Sequence, residues 1–102
     1  MAADLPQVPD RSELLRDRRV LVVEDDPTVR EVTCDYLRNA GFIVDEAADG
    51  IAALRRMEAT PADLIVLDRM LPGISGVEVC RRIRRTSTTP VIMLTALGSI
   101  EE

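Results

Sequence analysis

From Arg19 onward the apolar positions fall into two alternating patterns, short unbroken runs and longer stretches where they recur every three or four residues. Val20-Leu21-Val22-Val23 and Leu64-Ile65-Val66-Leu67 are continuous and rich in β-branched residues. That pattern fits strands buried on both faces within a parallel sheet. Phe42-Ile43-Val44 predicts a more marginal strand, because Asp45 and Glu46 follow at once. Pro90-Val91-Ile92-Met93-Leu94 predicts another, with proline tolerated as its first residue. Between the runs the period is helical. Asp26 then Pro27 reads as an N-cap followed by proline in the first turn. Val29, Val32, Tyr36, Leu37 and Ala40 form the expected apolar stripe, and Gly41 the left-handed stop. Asp49-Gly50 opens a second helix carrying Ile51, Leu54 and Met57 and ending before Pro61. Pro72-Gly73 fits a type II turn. Ser75 and Glu78 then predict a capping box for a third helix bearing Val77, Cys80 and Ile83. Residues 1–18 carry Pro6, Pro9 and many charges without a sustained period, and read as a leader, flexible or with a short helical turn around Ser12–Leu15.

Strand and helix alternate three times before the last strand. This implies an α/β domain of parallel strands joined by right-handed crossovers, with helices on both faces. In a doubly wound sheet of this kind ligands bind beyond the carboxyl ends of the strands. Glu24-Asp25-Asp26 follows the first strand, Asp68 the third and Thr95 the fourth. If those strands are neighbours, carboxylates and a hydroxyl share one rim. Carboxylates so close raise one another's pKa, and a hard divalent cation relieves the repulsion. Mg2+ suits the site, since it takes oxygen ligands and keeps several waters. A carboxylate beside Mg2+ can attack phosphorus, with catalysis supplied mainly by positioning and electrostatics. Asp68 stands alone and is the better nucleophile; Glu24 and Asp25 read as metal holders, Asp26 as a helix cap, and Thr95 as a donor to a phosphoryl oxygen.

Composition narrows the field. The 102 residues include 18 acidic and 13 basic ones, for a net charge of -5, and the basic residues are all arginine. There is no histidine, so imidazole bases and histidine metal ligands are excluded. Cys34 and Cys80 are too few and too far apart for a disulfide scaffold or a thiolate zinc site, and are expected as free thiols on helix faces. The acidic balance and the scarcity of aromatics, Tyr36 and Phe42 alone, argue against direct nucleic-acid contact by this segment. No apolar run is long enough to span a bilayer and the start shows no signal peptide, so a cytoplasmic protein is expected. The run Arg81-Arg82-Ile83-Arg84-Arg85 reads as a solvated face complementing the dipole of its helix.

Three motifs, Val22-Val23-Glu24-Asp25-Asp26-Pro27, Leu67-Asp68-Arg69-Met70-Leu71-Pro72-Gly73 and Val91-Ile92-Met93-Leu94-Thr95-Ala96, stand at the proper strand ends in the proper order. Together they resemble the receiver domain of two-component response regulators, from about Arg19 to the last residue. The resemblance implies a flavodoxin-like sheet, here of about four strands in order 2-1-3-4 with three to four helices. It implies that Asp68 is the phosphoacceptor, supplied by a sensor histidine kinase. Mg2+ would be held by Glu24 through water, by Asp25 and Asp68, and by the Met70 carbonyl. Thr95 would be the switch hydroxyl, with Ala96 offering its backbone amide. The Leu-Pro-Gly after the acceptor is similar to receivers joined to winged-helix DNA-binding domains.

The chain departs from the family in lacking its lysine and its aromatic switch residue. Residues 19–102 are therefore expected to be a receiver without most of the fourth helix, the fifth strand and the fifth helix. The fourth strand is then an apolar edge, and a homodimer or swapped oligomer is expected through it. Impaired phosphoryl transfer is the second consequence. Two other readings compete: a pseudo-receiver used for association alone, and a haloacid-dehalogenase-type Mg2+ phosphohydrolase, to which Glu24-x-Asp26-x-Thr28 bears a fainter likeness.

Overall fold

The computed structural model describes residues 17–94. The chain runs β1 (Arg19–Val23), α1 (Pro27–Asn39), β2 (Ile43–Ala47), α2 (Gly50–Ala59), β3 (Leu64–Asp68), α3 (Gly76–Arg84) and β4 (Val91–Leu94). The strands form one four-stranded sheet in the order β2-β1-β3-β4, every pair parallel. Thr95, Ala96 and the helical turn expected around Ser12–Leu15 lie outside the described residues.

Alternation along β1 sends successive side chains to opposite faces. Leu21 and Val23 join Ile65, Leu67, Ala53, Val79 and Ile83 under α2 and α3. Val20 and Val22 join Val44 and Cys34 under α1. All four β1 valines and leucines are at most 1% exposed, as an unbroken apolar run in a central strand demands.

The local signals act as read at most boundaries. The Asp26 carboxylate accepts from the Thr28 and Val29 N–H groups at 2.9 and 3.1 Å, with Pro27 opening α1. Gly41 leaves the helix at φ +107°, a conformation that costs glycine nothing. Asp49 caps α2 through the Ala52 N–H at 2.8 Å, and Gly73 has φ +75°, as the third position of a type II turn requires.

Three expectations need correction. The face of α1 that packs on the sheet carries Cys34 and, of the anticipated stripe, Leu37. Val29, Val32 and Tyr36 are 45%, 65% and 76% exposed. At 100° per residue they lie opposite Cys34, so α1 has two apolar stripes and the narrower one faces the core. Strand β2 continues through Asp45 and Glu46, because ion pairs hold both: Arg19 reaches Asp45 at 2.7 Å, and Arg30 and Arg38 reach Glu46 at 3.2 Å each. An edge strand tolerates these residues, whose intrinsic disadvantage is within about 1 kcal/mol. Finally, only half of the capping box forms. Ser75 accepts the Glu78 N–H at 3.2 Å, but the Glu78 side chain turns to Arg81 and Arg82 at 2.6 and 3.0 Å. The core of α3 centres on Val79 and Ile83, while Val77 is exposed.

Close packing brings the helices over the sheet. A Cβ on Gly50 would fall 2.5 Å from a Val79 methyl and 2.6 Å from Ile74, so the start of α2 meets α3 only because this position has no side chain. Among the described residues, no helix is long and apolar enough to cross a membrane.

Candidate metal and phosphoryl site

Register decides what gathers at the carboxyl rim. Val23 of β1 pairs with Leu67 of β3, so the next residues, Glu24 just past β1 and Asp68 at the end of β3, stand side by side at the rim. The Glu24 N–H extends the ladder to the Ala47 carbonyl at 3.0 Å, fixing where the chain turns. Carboxylate oxygens of Glu24, Asp25 and Asp68 then lie within 4.8 Å of one another. All three are residues singled out in the sequence. Asp26 is not among them, because its carboxylate is engaged as the α1 cap. That removes the second acid of the phosphohydrolase likeness.

Asp68 is held from its own loop. Its Oδ1 accepts the Met70 N–H at 3.0 Å, while Arg69 donates its N–H to the Leu94 carbonyl at 3.1 Å. Gly76 was not anticipated. A Cβ there would sit 2.6 Å from the Asp68 carbonyl oxygen and 2.9 Å from Arg69 Cα. The first turn of α3 thus lies directly against the backbone of Asp68 and Arg69. Its sequence signal was a glycine immediately after an N-cap serine, where a larger residue would serve helix propensity better.

Burial pushes the Glu24 carboxyl above its ordinary 4.5, and the neighbouring Asp68 and Asp25 carboxyls add to the rise, while the Asp26 N–H opposes it. Three crowded acids, one of them with its pKa raised, are what a divalent cation would relieve, and an all-oxygen donor set of this kind fits Mg2+. The rim is open. A groove of about 480 Å³ lies elsewhere, between α2 and α3, lined by Ile51, Leu54, Met57 and Ile83 among others and by none of the three acids.

Because the folded state raises the Glu24 pKa, its proton is bound more tightly in the fold than in the unfolded chain. The associated stability is present below the unfolded value and is lost as pH rises through the folded one. At neutral pH without metal the Glu24 carboxylate therefore works against folding. E24Q is expected to raise the melting temperature at pH 7 in EDTA, and the gain should vanish near pH 4. A lower melting temperature for E24Q at pH 7 in EDTA would contradict this.

Comparison with known proteins agrees with this geometry. The profile of the response regulator receiver domain matches residues 20–102. The chain is 43% identical over 82 residues to the transcriptional regulatory protein ResD of Bacillus subtilis, covering 80% of this chain and 34% of that protein. It is 51% identical over 77 residues to CseB of Streptomyces coelicolor, covering 76% and 33%. The chain thus spans about a third of the length of these relatives. Among solved structures, the response regulator TrrA from Thermotoga maritima, in complex with Mg2+-BeF, superimposes with a TM-score of 0.75 at 38% identity, covering 82% of this chain and 74% of that one. The chemotaxis response regulator CheY4 of Vibrio cholerae gives 0.77 at 34% identity, covering 83% and 73%. With the sheet order, the strand-end acids and the matched profile in agreement, the chain belongs to the response regulator receiver domain family.

Proposed function

We propose that this receiver takes a phosphoryl group on Asp68 with the help of Mg2+, the donor being a phosphohistidine on a sensor histidine kinase. The observation that carries the reading is the meeting of Glu24, Asp25 and Asp68 within 4.8 Å at one rim. Glu24 through water, Asp25, Asp68 and the Met70 carbonyl are the proposed holders of the cation. When bound, the cation would offset charge on the acids and on the incoming phosphoryl oxygens. The Asp68 carboxylate oxygen attacks phosphorus in line, the P–N bond breaks, and its electron pair returns to the imidazole of the donor. The product is an acyl phosphate on Asp68. The Met70 N–H, bound to Asp68 Oδ1, fixes the carboxylate and leaves its other oxygen for attack. Thr95 and Ala96 are the proposed hydroxyl and amide for the phosphoryl oxygens. In this role the chain is a signalling domain modified by its partner, not an enzyme acting on small molecules.

The names of its relatives support a part in transcriptional control, and a kinase partner supports a cytoplasmic setting. The net charge of -5 favours a protein partner for this segment over direct contact with nucleic acid. Association of two copies belongs to the same proposal. Among the described residues β4 pairs with β3 alone, and Ile92 and Leu94 are 50% and 42% exposed. An apolar edge strand of this kind favours pairing with another chain. Sedimentation velocity is expected to show a dimer or larger species; a monodisperse monomer would contradict it.

Calorimetric titration with Mg2+ should give one site, lost in D68N and D25N. The chain contains no lysine, so no ammonium is available to balance charge beside the acceptor. Incubation with acetyl phosphate and Mg2+ is therefore expected to leave most of the protein at its original mass, any adduct mapping to Asp68. Stoichiometric modification would refute the expected impairment, and an adduct elsewhere would refute the acceptor assignment. Absence of Mg2+ binding by the unaltered chain would favour the pseudo-receiver reading.

A further inference from the structure

The acids at the rim are carried by a loop whose backbone is tied down from behind. Glu24 is tethered through both of its main-chain groups: its N–H donates to the Ala47 carbonyl at 3.0 Å, and its carbonyl accepts from Arg30 Nη1 at 2.8 Å. The same guanidinium donates through Nε to Glu46 Oε1 at 3.2 Å. Arg38 Nη2 holds the other oxygen, Glu46 Oε2, at 3.2 Å and also donates to the Val44 carbonyl at 3.3 Å. Arg30 lies on the inward side of α1, one turn before Cys34, and its side chain is only 21% exposed.

We propose that Arg30 is a positioning residue of the cation site, clamping the Glu24 carbonyl so that the Glu24 and Asp25 carboxylates stay aimed at Asp68, with Glu46 holding the clamp. This rests on the reading of those acids as an Mg2+ site. Arg30 sets the plane of the peptide between Glu24 and Asp25, and that plane decides where both side chains leave the main chain. The planar fork matters, because it spans a carbonyl and a carboxylate at once, which an ammonium on a flexible stem does less well. Glu46 has a second effect. A guanidinium released from it would be drawn toward the three carboxylates and would compete with the cation. By pairing with Arg30, Glu46 keeps that positive charge on the far side of the loop.

The test is Mg2+ titration by calorimetry on the full chain for the unaltered protein, R30M, R30K, E46Q and the double variant R30M/E46Q, alongside melting of each in EDTA. R30M is expected to weaken Mg2+ binding by about tenfold, the range for groups that orient metal ligands. R30K should recover part of that loss, E46Q should weaken binding in the same direction, and the double variant should match R30M, as residues acting as one unit do. Should R30M fail to fold, R30K and E46Q carry the same comparison. If the unaltered chain binds Mg2+ and the variants bind within about twofold of it while melting lower, Arg30 is a stability residue only and the inference is overturned. If the unaltered chain binds no Mg2+, the functional reading falls and this inference with it.

Discussion

The meeting of Glu24 and Asp68 at the candidate rim follows from the parallel register of β1 and β3. Pairing Val23 with Leu67 obliges the next residues of both strands, Glu24 and Asp68, to emerge together. Two unit charges 4.8 Å apart repel by about 1 kcal/mol in water and roughly 3.5 kcal/mol at an effective dielectric near 20. Left to themselves these acids would separate. Burial of Leu21, Val23, Ile65 and Leu67, each worth about 1.5–3 kcal/mol, contributes roughly 6–12 kcal/mol to keeping the strands in register. The apolar term wins, so the repulsion persists as a local feature of the fold and is available for a cation to relieve.

The same constraint explains the architecture around the acids. A site made of backbone register needs its strand ends held, not enclosed. Leu94 receives the Arg69 N–H, Gly76 lets α3 press on the Asp68 carbonyl, and Ala47 receives the Glu24 N–H. Each anchor is a main-chain contact made by a residue whose side chain takes no part. The distance between residues 24 and 68 is then set by the sheet.

How much of this was legible in the sequence depends on the range of the interaction. Strands β1 and β3, the caps at Asp26, Asp49 and Ser75, and the turn glycines Gly41 and Gly73 are local, and their signals acted locally. The acids were legible because residues just past parallel strands converge whatever the details of packing. Strand β2 was read too short, since Asp45 and Glu46 look like breakers until Arg19, Arg30 and Arg38 are seen beside them. The inward face of α1 was misjudged, since the helix offers apolar residues on two sides and only the sheet decides between them. Glu78 sits in an N-cap pattern but also three and four residues before arginines, which hold it below its ordinary 4.5, mainly through the Arg82 hydrogen bond. The close approach of Gly76 to the Asp68 backbone gave only a faint signal, because it depends on where two segments of the chain touch.

Mn2+, which accepts the same oxygen donors as Mg2+, offers the most direct test of the converging rim through its broadening of nearby amide signals in an NMR spectrum. Titrated at low stoichiometry into the labelled chain, it should first erase the amides of Glu24 to Asp26 and Asp68 to Met70, with the effect lost in D68N. Broadening centred elsewhere, or spread evenly over exposed acids such as Glu31 and Glu58, would contradict the claim that the β1–β3 register builds a single cation site.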